Sequence, residues 1–335
     1  MSTMRDLIGG LPEQLRWAAG LRPPEVPESA EVLMAGMGGS GMAGSVASAV
    51  AAEAGGRVTV HKSYGFPAWA ARAGTLLVAV SHSGDTEETL DCVEGARAAG
   101  IPMAAVTTGG ALASIAAESK APLILTPPVS QPRAALGYLA GAVLRLLESA
   151  GVVPPQGPGL MEAAQTVELL FDGGRGPAVA LAEDLAASLD NRVAVIYGGA
   201  GVGAVAAERW KDQINENGKA IAYWSALPEL DHNEVEGWAA NPGLSRDRVG
   251  VVWLHDPADH PRVGVRARIT SRLMQNLVGK AGEVHAQGDG VLSRLFSLIV
   301  VGDLVSVALA ERAGVDPVAV GVIAALKKEL ARERL

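Results

Sequence analysis

Apolar residues along the chain fall into short unbroken runs, separated by longer stretches with helical spacing. Residues 32–35, 58–61, 76–80, 103–106 and 123–125 are such runs, bounded by glycine, proline or polar residues, and read as buried strands. Between them, residues 6–21 have an amphipathic pattern that stops at Pro23 and Pro24. Residues 42–52 are small and apolar, and 134–149 repeat the helical spacing. A helix over 86–99 would start at Thr86 as its cap, with Glu87 and Glu88 in its first turn. Strands apolar on both faces, alternating with helices, predict a parallel sheet covered on both sides. The Pro/Gly-rich stretch 152–159 interrupts the rhythm, which resumes with strands at 193–197 and 249–254. Helices follow through Trp210 and Ile214, over 292–312 and over 318–330. Each half carries a strand, a glycine turn and a helix. The expected fold is therefore α/β, with two related, doubly wound, mostly parallel sheets in residues 1–152 and 153–335.

Composition narrows the class. The 335 residues are 49% hydrophobic and 19% charged, enough for a large core. A net charge of −8 without a basic cluster argues against nucleic acid. Cys92 is the single cysteine, which excludes a disulfide framework and a cysteine-rich metal site. No unbroken apolar run reaches the roughly 18 residues of a membrane span, and MSTMRDLIGG lacks a signal peptide's apolar core. The expectation is a soluble cytoplasmic protein. The six histidines show no paired ligand spacing, so neither metal nor cofactor is expected, and His61, His255, His260 and His285 get no role.

Candidate chemistry begins where the first strand meets a glycine turn, Gly36 to Gly41. Strand, turn and helix together gather backbone N–H groups and a positive helix end, so the turn suits an anion. Gly36, Gly38 and Gly41 fit the dinucleotide fingerprint, and Gly199, Gly201 and Ala204 nearly do. The next strand, however, ends His61-Lys62-Ser63-Tyr64, without the acid that ribose hydroxyls require. No Gly-Lys-Ser/Thr ending marks a nucleotide-hydrolysing loop. A second polar cluster, SHSGDTEET at 81–89, follows the strand at 76–80. Carboxyl ends of adjacent strands share one crevice in an open α/β sheet. Gly38, Gly39 and Ser40 with Ser81, Ser83 and Thr86 would then surround one phosphate.

GGSG at 38–41 followed by SHSGDTEET resembles the sugar isomerase (SIS) domain, which binds phosphosugars. NENGK at 215–219, PELDHNE at 228–234, Gln131-Pro132-Arg133 and Ile323-x-x-Leu326-Lys327 resemble the bifunctional phosphoglucose/phosphomannose isomerase family. The resemblance spans nearly the whole chain and implies two tandem SIS domains. His82 and Asp85 depart from it, where an aromatic residue and Asn are commoner.

Aldose–ketose isomerisation needs a base that takes and returns a C–H proton, a ring-opening group, and positive charge near an enediolate oxygen. Glu216 fits the base, with Asn215 and Asn217 beside it to orient the carboxylate. The resemblance gives it the same role. His232 lies in a loop, and an imidazole titrates near neutrality, which suits ring opening. The resemblance implies that it reaches the neighbouring subunit's site, hence a homodimer. Lys327 shares a helix side with Val320 and Ile323 and, by resemblance, assists ring opening at the mouth of the site. Arg133 would steady the enediolate. Glu229 and Glu234 flank His232 without an assigned role. The expected function is metal-independent interconversion of glucose 6-phosphate or mannose 6-phosphate with fructose 6-phosphate through a cis-enediol. The alternatives are a non-catalytic phosphosugar sensor and an isomerase of a different phosphosugar.

Overall fold

A computed structural model describes residues 3–29, 31–279 and 282–333. The chain opens with helices α1 (Met4–Gly9) and α2 (Leu11–Ala19). They meet at Gly10 where a single helix was expected. Pro12, in the first turn of α2, has no N–H to continue the ladder. Strand β1 (Glu31–Ala35), α3 (Gly38–Glu53), β2 (Val58–His61), β3 (Thr75–Ser81) and α4 (Glu87–Ala98) follow. Then come β4 (Met103–Thr107), α5 (Gly110–Glu118), β5 (Leu123–Leu125) and α6 (Leu136–Ser149). These five strands form one sheet in the order β2-β1-β3-β4-β5, every pair parallel. All residues of β1, β3 and β4 are buried, as a sheet covered on both faces requires.

After α7 (Gly157–Phe171) and α8 (Pro177–Leu189), β6 (Val193–Gly199), α9 (Val202–Glu216) and β7 (Ala222–Leu227) begin the second half. It continues with α10 (Pro242–Arg248), β8 (Val249–His255), α11 (Pro261–Met274) and β9 (Gly282–His285). Helices α12 (Val291–Ala313) and α13 (Gly321–Leu330) end the described chain. The second sheet runs β7-β6-β8-β9, again wholly parallel. Its order repeats that of the first four strands, and β7, β9 and α11 were not anticipated.

The Pro/Gly-rich stretch does not separate two independent cores. Helix α7 starts inside it, at Gly157, and packs on both α2 and α12. One apolar cluster therefore runs from Leu15 and Leu139 through Leu160 to Leu295 and Leu304. Helix α12 is its axis, with Leu295, Phe296, Leu298 and Ile299 fully buried. Each such side chain contributes about 1.5–3 kcal/mol of burial. Among the described residues, α12 alone is long and apolar enough to cross a membrane, although Arg294 and Asp303 break its apolar run. Here it is the core helix, and those two charges are paired with Asp256 and Arg209.

Candidate active site

The strand order turns back between β1 and β3, and ligands in such sheets bind outside the carboxyl ends at that point. The glycine turn after β1 is tighter than expected. Gly38 already begins α3, whose flanking residue Met37 is extended and provides no side-chain cap. Thr86 stands at the start of α4 but does not cap it either. Its hydroxyl instead lies 2.8 Å from that of Ser81. Two helix N-termini without side-chain caps therefore flank one crevice, a setting that favours an anion.

The serines are already oriented. Ser40 Oγ accepts from His82 N at 3.2 Å, and Ser83 Oγ accepts from Asp85 N at 3.2 Å. Ser81 Oγ accepts from Gly84 N at 3.0 Å. A hydroxyl that accepts from the backbone keeps its own proton to donate. Gly84 has φ +80°, and a Cβ there would lie 1.9 Å from Gly109 O, so the close turn requires glycine. The two unusual residues here brace the loops. Asp85 Oδ1 accepts from Ala111 N at 2.9 Å, and His82 Nε2 from Val129 N at 3.4 Å. Burial holds His82 below its ordinary pKa.

A cavity of about 250 Å³ opens at the start of α3, with Gly38, Gly39, Arg133, Glu216 and Ile323 on its wall. A Cβ on Gly39 would meet Arg133 Cα at 3.2 Å, so the glycine turn lies directly against the Arg133 backbone. Arg133 is not a surface arginine. It is 4% exposed, against 30% for Glu216. All five of its N–H donors are engaged. Nε donates to Asn217 Oδ1 at 2.6 Å. Nη1 donates to Gln131 Oε1 at 2.9 Å and Glu216 Oε1 at 3.1 Å. Nη2 donates to the carbonyls of Pro317 at 2.7 Å and Val318 at 3.0 Å. Burial pulls the Arg133 pKa down from its ordinary value, and Glu216 opposes that pull.

Glu216 is the last residue of α9 and lies between two asparagines, but neither amide bonds to its carboxylate. Asn217 bonds to Arg133 and to Ser306 Oγ at 3.0 Å, and Asn215 donates to Ala220 O at 2.9 Å. The expected orienting role therefore passes through Asn217 to Arg133, and from Arg133 to Glu216. Behind them, Arg209 makes a two-pronged pair with Asp303 at 2.9 and 2.8 Å and donates to Arg133 O at 2.8 Å. Sequence reasoning missed Arg209, although Arg209, Gln213 and Glu216 share one side of α9 by i, i+4, i+7 spacing. Lys219, part of the NENGK motif, was given no role. Its Nζ donates to Glu216 O at 2.6 Å and closes the end of the helix.

Other expected residues stand apart. Ser40, Ser81, Ser83 and Thr86 are not on the wall of this cavity, although Ser40 directly follows Gly39 in α3. His232 is exposed, in the short turn after β7. Glu216 lies near the amino end of β7 and His232 beyond its carboxyl end, about 20 Å away over six residues. One chain therefore does not bring them together. Glu234 accepts from Tyr197 OH at 2.6 Å and Glu229 from Asn233 Nδ2 at 2.9 Å, so neither orients His232 through these bonds. Lys327 is exposed on α13, one turn beyond Ile323.

The second glycine turn takes its anion from its own chain. The Asp259 carboxylate sits where a Cβ on Gly199 would be, 2.1 Å from that point. Burial, helped by Asp256, pushes Asp259 up to about 6. His61 and His260 make local backbone contacts, as structural histidines do. His255 and His285 do not fit the expectation of scattered histidines. They meet with Glu283 at the end of β8 and β9, because parallel register closes the thirty-residue gap between them.

Residues 178–330 match the family described as the bacterial phospho-glucose isomerase C-terminal SIS domain. The chain is 36% identical to a bifunctional phosphoglucose/phosphomannose isomerase of Caldicellulosiruptor bescii, covering 98% of this chain and 99% of the relative. It is 34% identical to the enzyme of the same name from Aquifex aeolicus, with the same coverage. In fold it is similar to the C-terminal domain of glucosamine-fructose-6-phosphate aminotransferase from Francisella tularensis. That likeness has a TM-score of 0.73 at 14% identity and covers 95% of this chain and 99% of that one. With such identity over almost its full length, the chain belongs to the bifunctional phosphoglucose/phosphomannose isomerase family.

Proposed function

We propose that the protein interconverts glucose 6-phosphate and mannose 6-phosphate with fructose 6-phosphate. The observation that carries this reading is the Glu216 carboxylate, held by Arg133 on the wall of a cavity whose other wall is the uncapped start of α3. The phosphate binds at the two helix N-termini, with Gly38, Gly39, Ser40, Ser81, Ser83 and Thr86 as donors. Glu216 takes the proton from C2 of the open-chain aldose. The electron pair forms the C1–C2 double bond of a cis-enediol as the C1 carbonyl π pair moves onto O1. A proton passes from O2 to O1, the O2 pair forms the C2 carbonyl, and the same carboxylate returns the proton to C1. One base serves both hexoses if the planar enediol turns about its C2–C3 bond, because the two C2 epimers arise from protonation on opposite faces of C2. Arg133 sets the carboxylate and offers positive charge beside the enediolate oxygens. No metal is needed at the reacting carbons.

Ring opening falls to His232 and Lys327, and both point to a second copy of the chain. His232 stands far from Glu216 of its own chain, which fits delivery to the partner's cavity. Exposed apolar side chains support such pairing: Ile221, Tyr223 and Trp224 on and beside the edge strand β7, and Val322, Leu326 and Leu330 on α13. Lys327, one turn past Ile323 at the cavity, completes the mouth. The reading includes a cytoplasmic setting. Its one cysteine, Cys92, is a buried free thiol, and burial pushes it up to about 11.

Replacing Glu216 with Gln and assaying glucose, mannose and fructose 6-phosphates side by side tests the reading. Loss of turnover on all three, with substrate still protecting the protein from thermal unfolding, is expected. Unchanged turnover would remove Glu216 as the base.

A further inference from the structure

The end of the second sheet carries a cluster that isomerisation does not use. His255 and His285 are register partners on the parallel strands β8 and β9, so their side chains leave the same face. Glu283 lies two residues before His285 and therefore shares that face. Both imidazoles turn the same edge towards one oxygen. Glu283 Oε2 is 3.7 Å from His255 Nε2 and 3.8 Å from His285 Nε2. The rings are stacked, with centroids 4.6 Å apart and planes 17° from parallel. His255 Nε2 is buried and has no hydrogen-bond partner, and a buried polar atom in that state calls for an explanation.

From these positions we infer a zinc-binding site formed by His255, Glu283 and His285. Two imidazole nitrogens and one carboxylate oxygen are the donor set of an open three-ligand zinc site. Donors about 2.1 Å from a tetrahedral ion lie about 3.4 Å from each other, whereas adjacent donors of an octahedral ion lie about 3.0 Å apart. The observed 3.7 and 3.8 Å are nearer the tetrahedral value. Closing the remaining few tenths of an ångström is easy for Glu283 and His285, whose side chains are 54% and 70% exposed, around the more buried His255. A cavity of about 210 Å³ adjoins the cluster, lined by both histidines with Asp256 and Asp259, and has room for the fourth ligand. The site is at the carboxyl edge of the sheet, whereas Glu216 of the same chain is at the amino edge. The ion clamps edge strand β9 to β8.

Isothermal titration of zinc chloride into the EDTA-treated full-length protein tests the assignment. One zinc per chain and a higher melting temperature are expected, with no uptake of magnesium, which prefers six oxygens. His285→Ala and Glu283→Gln change exposed side chains and leave the fold intact. Loss of a ligand's supporting partner alone weakens zinc binding by about 10–100-fold, so each variant should weaken it by more than about tenfold. His61→Ala should bind like the parent protein. Absence of zinc uptake, equal affinity for magnesium, or undiminished binding by His285→Ala would overturn the proposal.

Discussion

Glu216 Oε1 lies 3.1 Å from Nη1 of Arg133, and that contact is one of several through which Arg133 joins the two halves of the chain at the cavity. Arg133 comes from the connection after the first sheet, and Glu216 from the end of a helix in the second. The same guanidinium ties down Asn217, Gln131 and the carbonyls leading into α13. Arg133→Lys keeps the charge but loses the planar five-donor fork. It should lower stability by about 3–5 kcal/mol, since buried partners lose their donors. Urea unfolding followed by circular dichroism measures this, and kcat should fall along with stability.

The serines separate binding from folding. Ser83 is exposed and Ser40 buried, yet both are oriented by backbone N–H groups. A hydrogen bond to a charged group is worth about 1.5–3 kcal/mol. Ser83→Ala should therefore cut kcat/KM for fructose 6-phosphate by about 10–100-fold while the melting temperature stays put. Ser40→Ala should do the same and also lower the melting temperature. Steady-state kinetics and calorimetry on the two variants check both halves of the statement.

His82 makes stability depend on pH with a defined sign. Burial lowers its pKa in the folded state, whereas the unfolded histidine titrates near its ordinary value of about 6.5. Between those two values the unfolded chain holds more protons, so stability rises with pH. His82 thus costs no stability above about 6.5 and takes some away as the pH falls below it. His82→Gln retains an acceptor for Val129 N and cannot titrate there. Its urea midpoint should fall less than the parent's between pH of about 7.5 and about 5.5.

The distance between His232 and Glu216 within one chain leads to a complementation test. Glu216→Gln and His232→Ala should each be nearly inactive as pure dimers. Mixing them under conditions that exchange subunits should restore activity, because one site per mixed dimer then has both groups. Absence of recovery in a mixture shown by native mass spectrometry to contain heterodimers would place His232 outside the partner's site.

The first sheet was legible because β1, β3 and β4 are buried on both faces and read as unbroken apolar runs. Strands β7 and β9 were not. Both are edges: Tyr223 and Trp224 face outwards from β7, and β9 has one buried residue, Val284, between Glu283 and His285. Nothing in such short, half-polar stretches sets them apart from loop. The glycine turn was read as an anion site, and its length was overestimated, because Gly38 and Gly39 serve as the first turn of α3. Glu216 and Arg133 were singled out by residue type, but the network between them was not legible. Asn217, Arg209 and the 317–318 carbonyls meet Arg133 only through tertiary packing across sequence gaps of 76 residues and more. The same holds for His255 and His285, which strand register brings together and sequence spacing conceals.

The most direct measurement is proton exchange into the substrate. In deuterium oxide, the parent protein should transfer solvent deuterium to C2 of glucose 6-phosphate, read as loss of that proton's NMR signal. Glu216→Gln should bind the sugar phosphate, shown by calorimetry, and leave the C2 proton in place. Exchange at the parent's rate in Glu216→Gln would contradict the assignment of Glu216 as the proton carrier.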